Sequence, residues 1–241
     1  MKPEGNRGWP PGLFCVFLHP ARTLSAKRKD KMKRSAGLTA GLLLLVSLAV
    51  SVRADDAINC FGEDIERRIE GCTALIERRD SNVEMSAVYA MRALAYSLKG
   101  QYETAIGDYD TAITMRPDFA VALNNRAWAY FRWGKSATGL PDVERSLQLS
   151  PTSAHSLDTR AHIRQALGEP QAALRDYTKA MFFGGAQMIK LYQCGLTEAG
   201  HYTGEVDGIW RREVQNALET CVLDKACDPL PTDEHCRAAT S

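Results

Sequence analysis

Small apolar, bulky apolar and charged positions return along the chain, from residue 86 to about residue 185, at a fixed interval of 34 residues. Ala93, Ala127 and Ala161 keep this step, as do Arg92, Arg126 and Arg160, and Asp108, Asp142 and Asp176. Gly100, Gly134 and Gly168 mark the same beat, and Pro117 and Pro151 repeat it once. Glycine, free of a Cβ, sits where one helix stops and the chain turns, whereas proline can open a helix but cannot continue one. Each unit therefore reads as two helices. Ala93 and Ala105 are small where the two helices cross, and Tyr89, Tyr96, Tyr102 and Tyr109 supply the bulk that packs them.

A 34-residue period of helix, turn and helix is that of tetratricopeptide repeats. The segment SAVYAMRALAYSLKGQYETAIGDYDTAITMRP resembles that family (TPR) residue by residue, with Pro117 closing it. The resemblance implies an all-α helical solenoid over residues 57–185, with units at 86–119, 120–153 and 154 to about 185. Before them, residues 57–80 form an opening helical segment in which CTALIE, residues 72–77, aligns with YDTAIT, residues 109–114, so that Cys72 replaces Tyr109. This is a degenerate repeat covering the exposed end of the stack, as terminal solenoid repeats do. The second unit departs from the family at Gly139, where alanine is usual, and at Pro141, which predicts that its second helix begins late. The third lacks the closing proline and has Gly184-Gly185 instead, a boundary signal.

In this family the first helix of each pair lines a concave face that binds peptides or partner proteins. Counting along those helices places Ala87, Ala90, Leu94 and Ser97 there from the first unit, Asn124, Trp128 and Phe131 from the second, and His155, Asp158, His162 and Gln165 from the third. That is a groove with an aromatic centre and a polar end. Core packing fits Trp128 and Phe131 as well as exposure does. His155 and His162, seven apart on one helical face, read as a solvated face, since no third metal ligand stands at a suitable spacing. The family's groove-facing Lys and Arg, which clamp a carboxylate tail, are largely missing. The repeated Arg and Asp positions read as a structural ladder, because a planar guanidinium can make two bonds to one carboxylate.

Beyond Gly185 the pattern changes. MIKLYQCGLTEAGHYTGEVDGIWRREVQNALETC resembles the small three-helix peptidoglycan-binding module of bacterial wall enzymes, carried by Leu191, Gln193 and Leu196, by Ala199-Gly200-His201-Tyr202 and Gly204, by the Val206-Asp207-Gly208-Ile209 turn, and by Val214, Ala217 and Leu218. The resemblance implies a module at residues 186–227 followed by a tail, 228–241. Its ligand-side residues are Tyr202, Asp207 and Trp210, with Tyr202 and Trp210 able to stack on a sugar. Arg211, Arg212 and Glu213 stand where the family has a glycine and a helix-capping threonine. In such a bundle Cys194 and Cys221 face each other, which leaves Cys227 and Cys236 to close the tail.

Charge and the leader change the picture next. Residues 1–54 hold 10 of the 30 Lys and Arg but 2 of the 29 Asp and Glu, leaving 20 basic against 27 acidic residues, a net of −7. Nucleic acid is not an expected partner of such a chain, because phosphate binding rests on clustered basic charge. Residues 1–31 lack hydrophobic periodicity and read as disordered. Lys31, Lys33 and Arg34 then precede an apolar run, residues 38–52, closed by Val52-Arg53-Ala54, the order of a secretory signal peptide over residues 32–54. Met32 reads as the initiator and Ala54 as the last residue before cleavage. The run is short for a membrane span, so membrane contact is expected during export only, unless the signal stays uncleaved.

Export to a periplasmic or extracellular space makes Cys60, Cys72, Cys194, Cys221, Cys227 and Cys236 disulfide candidates, with Cys60 and Cys72 paired by proximity. A zinc site from Cys221, Cys227, His235 and Cys236 has irregular spacing, and no cofactor or metal is expected. There is no H-E-x-x-H, no G-x-S-x-G and no phosphate-cradling glycine loop, so binding is expected rather than catalysis. The sequence thus reads as an exported bacterial protein–protein interaction scaffold of the cell envelope, taking protein or peptide partners in its groove. The second reading is a peptidoglycan-anchored adaptor or an accessory factor of a cell-wall hydrolase.

Overall fold

A computed structural model describes residues 55–224 and 226–229. The leader and signal segment, His235 and Cys236 lie outside these residues. All regular structure described is helical. After a helical stretch at 55–61 come α1 (Ile65–Arg78), α2 (Met85–Leu98), α3 (Tyr102–Met115), α4 (Ala120–Arg132), α5 (Ser136–Leu149), α6 (Ala154–Ala166), α7 (Pro170–Glu198) and α8 (Arg212–Cys221). No helix among them is long and apolar enough to cross a membrane.

The pairs α2/α3, α4/α5 and α6 with the first part of α7 are the three repeated units. Gly100, Gly134 and Gly168 hold φ of 73°, 76° and 80° between the helices of each pair, a conformation that L side chains rarely adopt. Ala93, Ala127 and Ala161 are fully buried where the helices cross, and Tyr109, Val143 and Tyr177, again 34 apart, fill the space behind them with no exposed surface. The second unit shows why it carries Gly139. A Cβ there would stand 2.6 Å from the carbonyl oxygen of Ala127, so α4 and α5 approach more closely than alanine permits. Pro141 does not delay α5, which starts at Ser136 and contains the proline. Near a helix start proline forfeits a single backbone bond, and packing against α4 and α6 holds the turn.

At the first end, the helical stretch at 55–61 and α1 form the degenerate repeat, linked by the Cys60–Cys72 disulfide. Asp64 caps α1 by accepting from the Arg67 amide at 2.9 Å. Arg68, buried within this pair, donates from both Nε and Nη2 to the Gly62 carbonyl.

At the other end α7 breaks at Gly185, whose φ of 63° and ψ of −154° are not helical. The part after the break packs against α6: Met188, Ile189, Leu191, Tyr192 and Leu196 share a core with Ala161, Tyr177, Val214 and Leu218. Tyr192 is 34 residues beyond Asp158 and donates its hydroxyl to that carboxylate. Residues 186–198 therefore occupy the place of a first helix in a fourth unit, although their sequence no longer follows the repeat.

Candidate functional site

The first helices α2, α4 and α6 lie side by side, and the expected groove positions fall into rows across them: Ala90, Asn124 and Asp158; Leu94, Trp128 and His162; Ser97, Phe131 and Gln165. Leu94, Asn124, Trp128, Asp158 and His162 are all buried, and Phe131, His155 and Gln165 are half-buried. The solvated face expected for His155 and His162 is therefore not what forms. His162 is 3% exposed, and burial pushes the His155 imidazole below its usual value.

The aromatic centre is a ladder of rings. Trp128 meets Phe131 at 4.8 Å and His162 edge-on at 5.3 Å, His162 meets Tyr177 at 4.9 Å, and Tyr177 meets Tyr192 at 5.7 Å. These tilted and T-shaped arrangements suit the ring quadrupoles. Core packing thus accounts for Trp128.

At the polar end His162 stands between two carboxylates. Its Nδ1 lies 2.9 Å from the carbonyl oxygen of Asp158 and 3.6 Å from Asp158 Oδ2, and its Nε2 lies 3.1 Å from Asp228 Oδ1. Both ring nitrogens face acceptors, so both must donate, which only the imidazolium does. Burial by itself would pull the ring below its ordinary value, but Asp158 and Asp228 outweigh it and hold it up to about 9. Burial raises Asp158 despite the His162 charge and the Tyr192 hydroxyl. Gln165 completes the cluster: it accepts from the Tyr177 hydroxyl at 2.8 Å and donates Nε2 to the carbonyl oxygens of Cys227 at 3.1 Å and Cys221 at 3.5 Å.

The segment that meets this end is closed on itself. Cys221 is bonded to Cys227, so the expected Cys194–Cys221 pair does not form. The six-residue separation lets α8 end and its following turn close locally, which outcompetes a bond across the bundle. Cys194 is part of a disulfide too. With Cys221 and Cys227 oxidised to each other, their thiolates are not available to a metal.

The ladder lies behind the groove. Arg92, Arg126 and Arg160 each make a two-pronged contact at 2.7–2.8 Å with Asp108, Asp142 and Asp176 on the second helix of the same unit. The third donor reaches backwards: Arg92 Nη1 to Thr73 at 3.2 Å and Arg126 Nη1 to Asp110 at 2.6 Å. Thr73 and Asp110 hold equivalent positions in successive units, so Arg92 and Arg126 each tie their unit to the one before. Asp176 receives a second cation, Arg164 Nη1 at 2.7 Å. None of these groups is turned to the groove.

After the break in α7 the expected ligand-side residues separate. Tyr202 is buried and donates to the Glu205 carbonyl at 3.1 Å, which removes it as a sugar-stacking face. Asp207 is engaged by Arg211 through two bonds, 2.9 and 2.6 Å, and by the Ile209 amide at 2.9 Å, and the Arg211 guanidinium holds its carboxyl well below the usual range. Arg211 is thus a brace for the turn. Gln193, fully buried, accepts from the Gly208 amide at 2.8 Å and donates to Asp207 at 3.1 Å and the Ile209 carbonyl at 3.2 Å. Trp210 and Ile209 remain about half exposed. Beside them His201, Tyr202, Thr203, Gly204, Glu205, Arg211 and Glu213 line an open cleft of about 380 Å³.

The sequence did not flag Asp228 or Gln193 as site residues. Asp228 lies in a tail without periodicity, and nothing local marks that it meets His162, 66 residues away.

Residues 93–134 match the family model described as TPR repeat. No curated protein matches the chain. Among solved structures the chain is similar to the first TPR of Spaghetti (RPAP3) bound to the HSP90 peptide SRMEEVD and to the first TPR domain of the human RPAP3 protein. Each is 28% identical, over 41% of this chain and 78% of that one, with a TM-score of 0.40. It is also similar to a MamA RS-1 ArsTM double mutant, 17% identical over 69% of this chain and 86% of that one, with a TM-score of 0.46.

Proposed function

We propose that this chain is an exported scaffold of the bacterial cell envelope that binds a protein or peptide partner along α2, α4 and α6, without catalysis of its own. The observation that carries the reading is the groove's construction. Three first helices, held in register by arginine bridges behind them, bring half-buried Phe131, His155 and Gln165 onto one continuous face over a packed aromatic row. Such rigidity lowers the ordering cost of binding. The TPR repeat match at residues 93–134 supports a binding rather than a catalytic use. The test is site-specific photocrosslinking in the source cells, with benzoylphenylalanine replacing Phe131 on the groove or Glu144 on α5. A partner crosslinked from Phe131 and not from Glu144 is expected; equal crosslinking from both, or none, overturns the reading.

A second reading, anchorage to peptidoglycan, draws on the braced turn that presents Trp210 and Ile209 beside the cleft. It is tested by sedimenting the mature protein with purified sacculi. Pelleting that Trp210→Ala abolishes supports it, and a protein that stays in the supernatant ends it.

A further inference from the structure

The polar end of the groove already holds a ligand. The end of α8 and residues 226–229 lie on α6, where Cys221, Cys227 and Asp228 supply what a bound peptide would supply: two backbone carbonyls to Gln165 and one carboxylate to His162. Pro229 follows, buried, and cannot donate an amide. The Cys221–Cys227 bond fixes the loop that aims Asp228.

The donor groups on α6 are arranged for such an occupant. Gln165 is oriented by Tyr177, which occupies its oxygen and leaves its amide nitrogen to point outward. His162 is gripped from behind by Asp158, itself bonded by Tyr192. The charged groups facing the His162 ring are Asp158 and Asp228, and the rings around it are Trp128, Phe131 and Tyr177. An apolar wall, one cation and one outward amide suit an extended backbone that carries an acidic side chain.

We propose that the end of α8 with residues 226–229, closed by the Cys221–Cys227 bond, is a tethered occupant of the groove, and that the partner it competes with is an extended peptide whose aspartate or glutamate takes the place of Asp228 on His162 while its main chain takes the Gln165 bond. This deepens the scaffold reading and rests on it only for the identity of the groove as a partner site. Because the loop is attached to the chain, it acts at a high effective concentration. A free peptide must be present in excess or the loop must first be released. Partner binding is then gated: whatever loosens the loop, such as reduction of the Cys221–Cys227 bond, opens the polar end.

The test uses the mature protein and a fluorescein-labelled synthetic peptide of residues 221–229, cyclised through its two cysteines, read by anisotropy. Two released variants are compared with the native chain: Asp228→Lys, which places a cation against His162, and Cys221→Ser with Cys227→Ser, which unties the loop. Tighter binding of the peptide to both released variants than to the native chain, by about 10-fold or more, is expected, because the tethered competitor no longer holds the site at high effective concentration. The same peptide with asparagine for its aspartate should lose that gain, and Gln165→Ala added to a released variant should weaken binding again. Equal binding to native and released proteins, no binding to either released variant, or indifference to the peptide's aspartate each overturns the proposal. Circular dichroism identifies a variant that has merely unfolded, in which case the remaining variant decides. If the released proteins bind this peptide while Phe131 captures no partner in cells, the tethered loop stands and the scaffold reading falls; a captured partner with no peptide binding gives the reverse.

Discussion

Replacing Arg126 by alanine removes three bonds at once, and the structure lets their loss be apportioned. Two of them run to Asp142, whose side chain is 13% exposed; the third runs to Asp110, 55% exposed. Breaking a fully buried pair by deleting one partner costs about 3–5 kcal/mol, because a charge is left unpaired in a poor solvent. An exposed pair contributes less than about 1 kcal/mol. Asp142 lies between these limits, so Arg126→Ala should cost about 2–3 kcal/mol, most of it from the stranded Asp142 carboxylate. For a domain of this size that corresponds to a fall in Tm of roughly 5–10 °C, measurable by circular dichroism on the oxidised protein. The neighbouring rung sets an internal comparison. Arg160→Ala leaves Asp176 still bonded to Arg164, and should fall by less than half as much although Asp176 is the more deeply buried carboxylate. Arg126→Lys keeps the charge but not the fork and should lie between native and alanine. An Arg126→Ala melt within about 1 °C of native, or a larger fall for Arg160→Ala than for Arg126→Ala, would refute this account of the ladder.

Three further outcomes follow from the packing. Gly139→Ala forces a methyl group toward the Ala127 carbonyl and should destabilise by about 1–3 kcal/mol, read as a lower urea midpoint, whereas Gly107→Ala, with nothing near its added Cβ, should not. Cys60→Ala with Cys72→Ala opens a loop of 12 residues and should cost roughly 3 kcal/mol in the chain-entropy account, with earlier proteolysis of residues 55–78 as the readout. The His162 ring, held up to about 9 in the folded chain against an ordinary value near 6.5, contributes stability that is complete below about pH 6.5 and is lost as the pH rises through about 9. The native Tm should therefore drop across that window, and that of His162→Gln should stay flat; parallel curves would remove His162 from this role.

What the sequence made legible is what repeats. Gly100, Gly134 and Gly168 mark turns that only a positive φ can make, and Arg126 with Asp142 recurs at a spacing that names a partner, so helices and ladder could be read before any coordinates. Pro141 misled because a local rule about proline was outweighed by packing on both sides of α5. The groove was legible as rows but not as surfaces: Trp128 and His162 lie on the expected face, yet no local pattern says that other rings and a distant carboxylate cover them. The stretch after Gly185 shows the same limit. Tyr202 and Arg211 could be placed by likeness, but their roles in the core and as a brace depend on Glu205, Gln193 and Asp207 meeting in three dimensions. The Cys221–Cys227 bond was missed because likeness to a bundle favoured a long-range pair over the nearest cysteine.

The seam between Asp158 and Tyr192 bears on how such a chain can change length over generations. Ala90, Asn124 and Asp158 hold one register position, and only the last offers a carboxylate to the tyrosine that follows it. Unequal recombination that inserts another copy of residues 120–153 leaves this junction untouched. Recombination that excises residues 154–187 keeps the helical phase but sets Tyr192 against Asn124 and discards His162 and Gln165 together. Copy number is thus free to grow at one side of the array and fixed at the other, so descendants of this chain should differ in how many units precede the third and agree in retaining it.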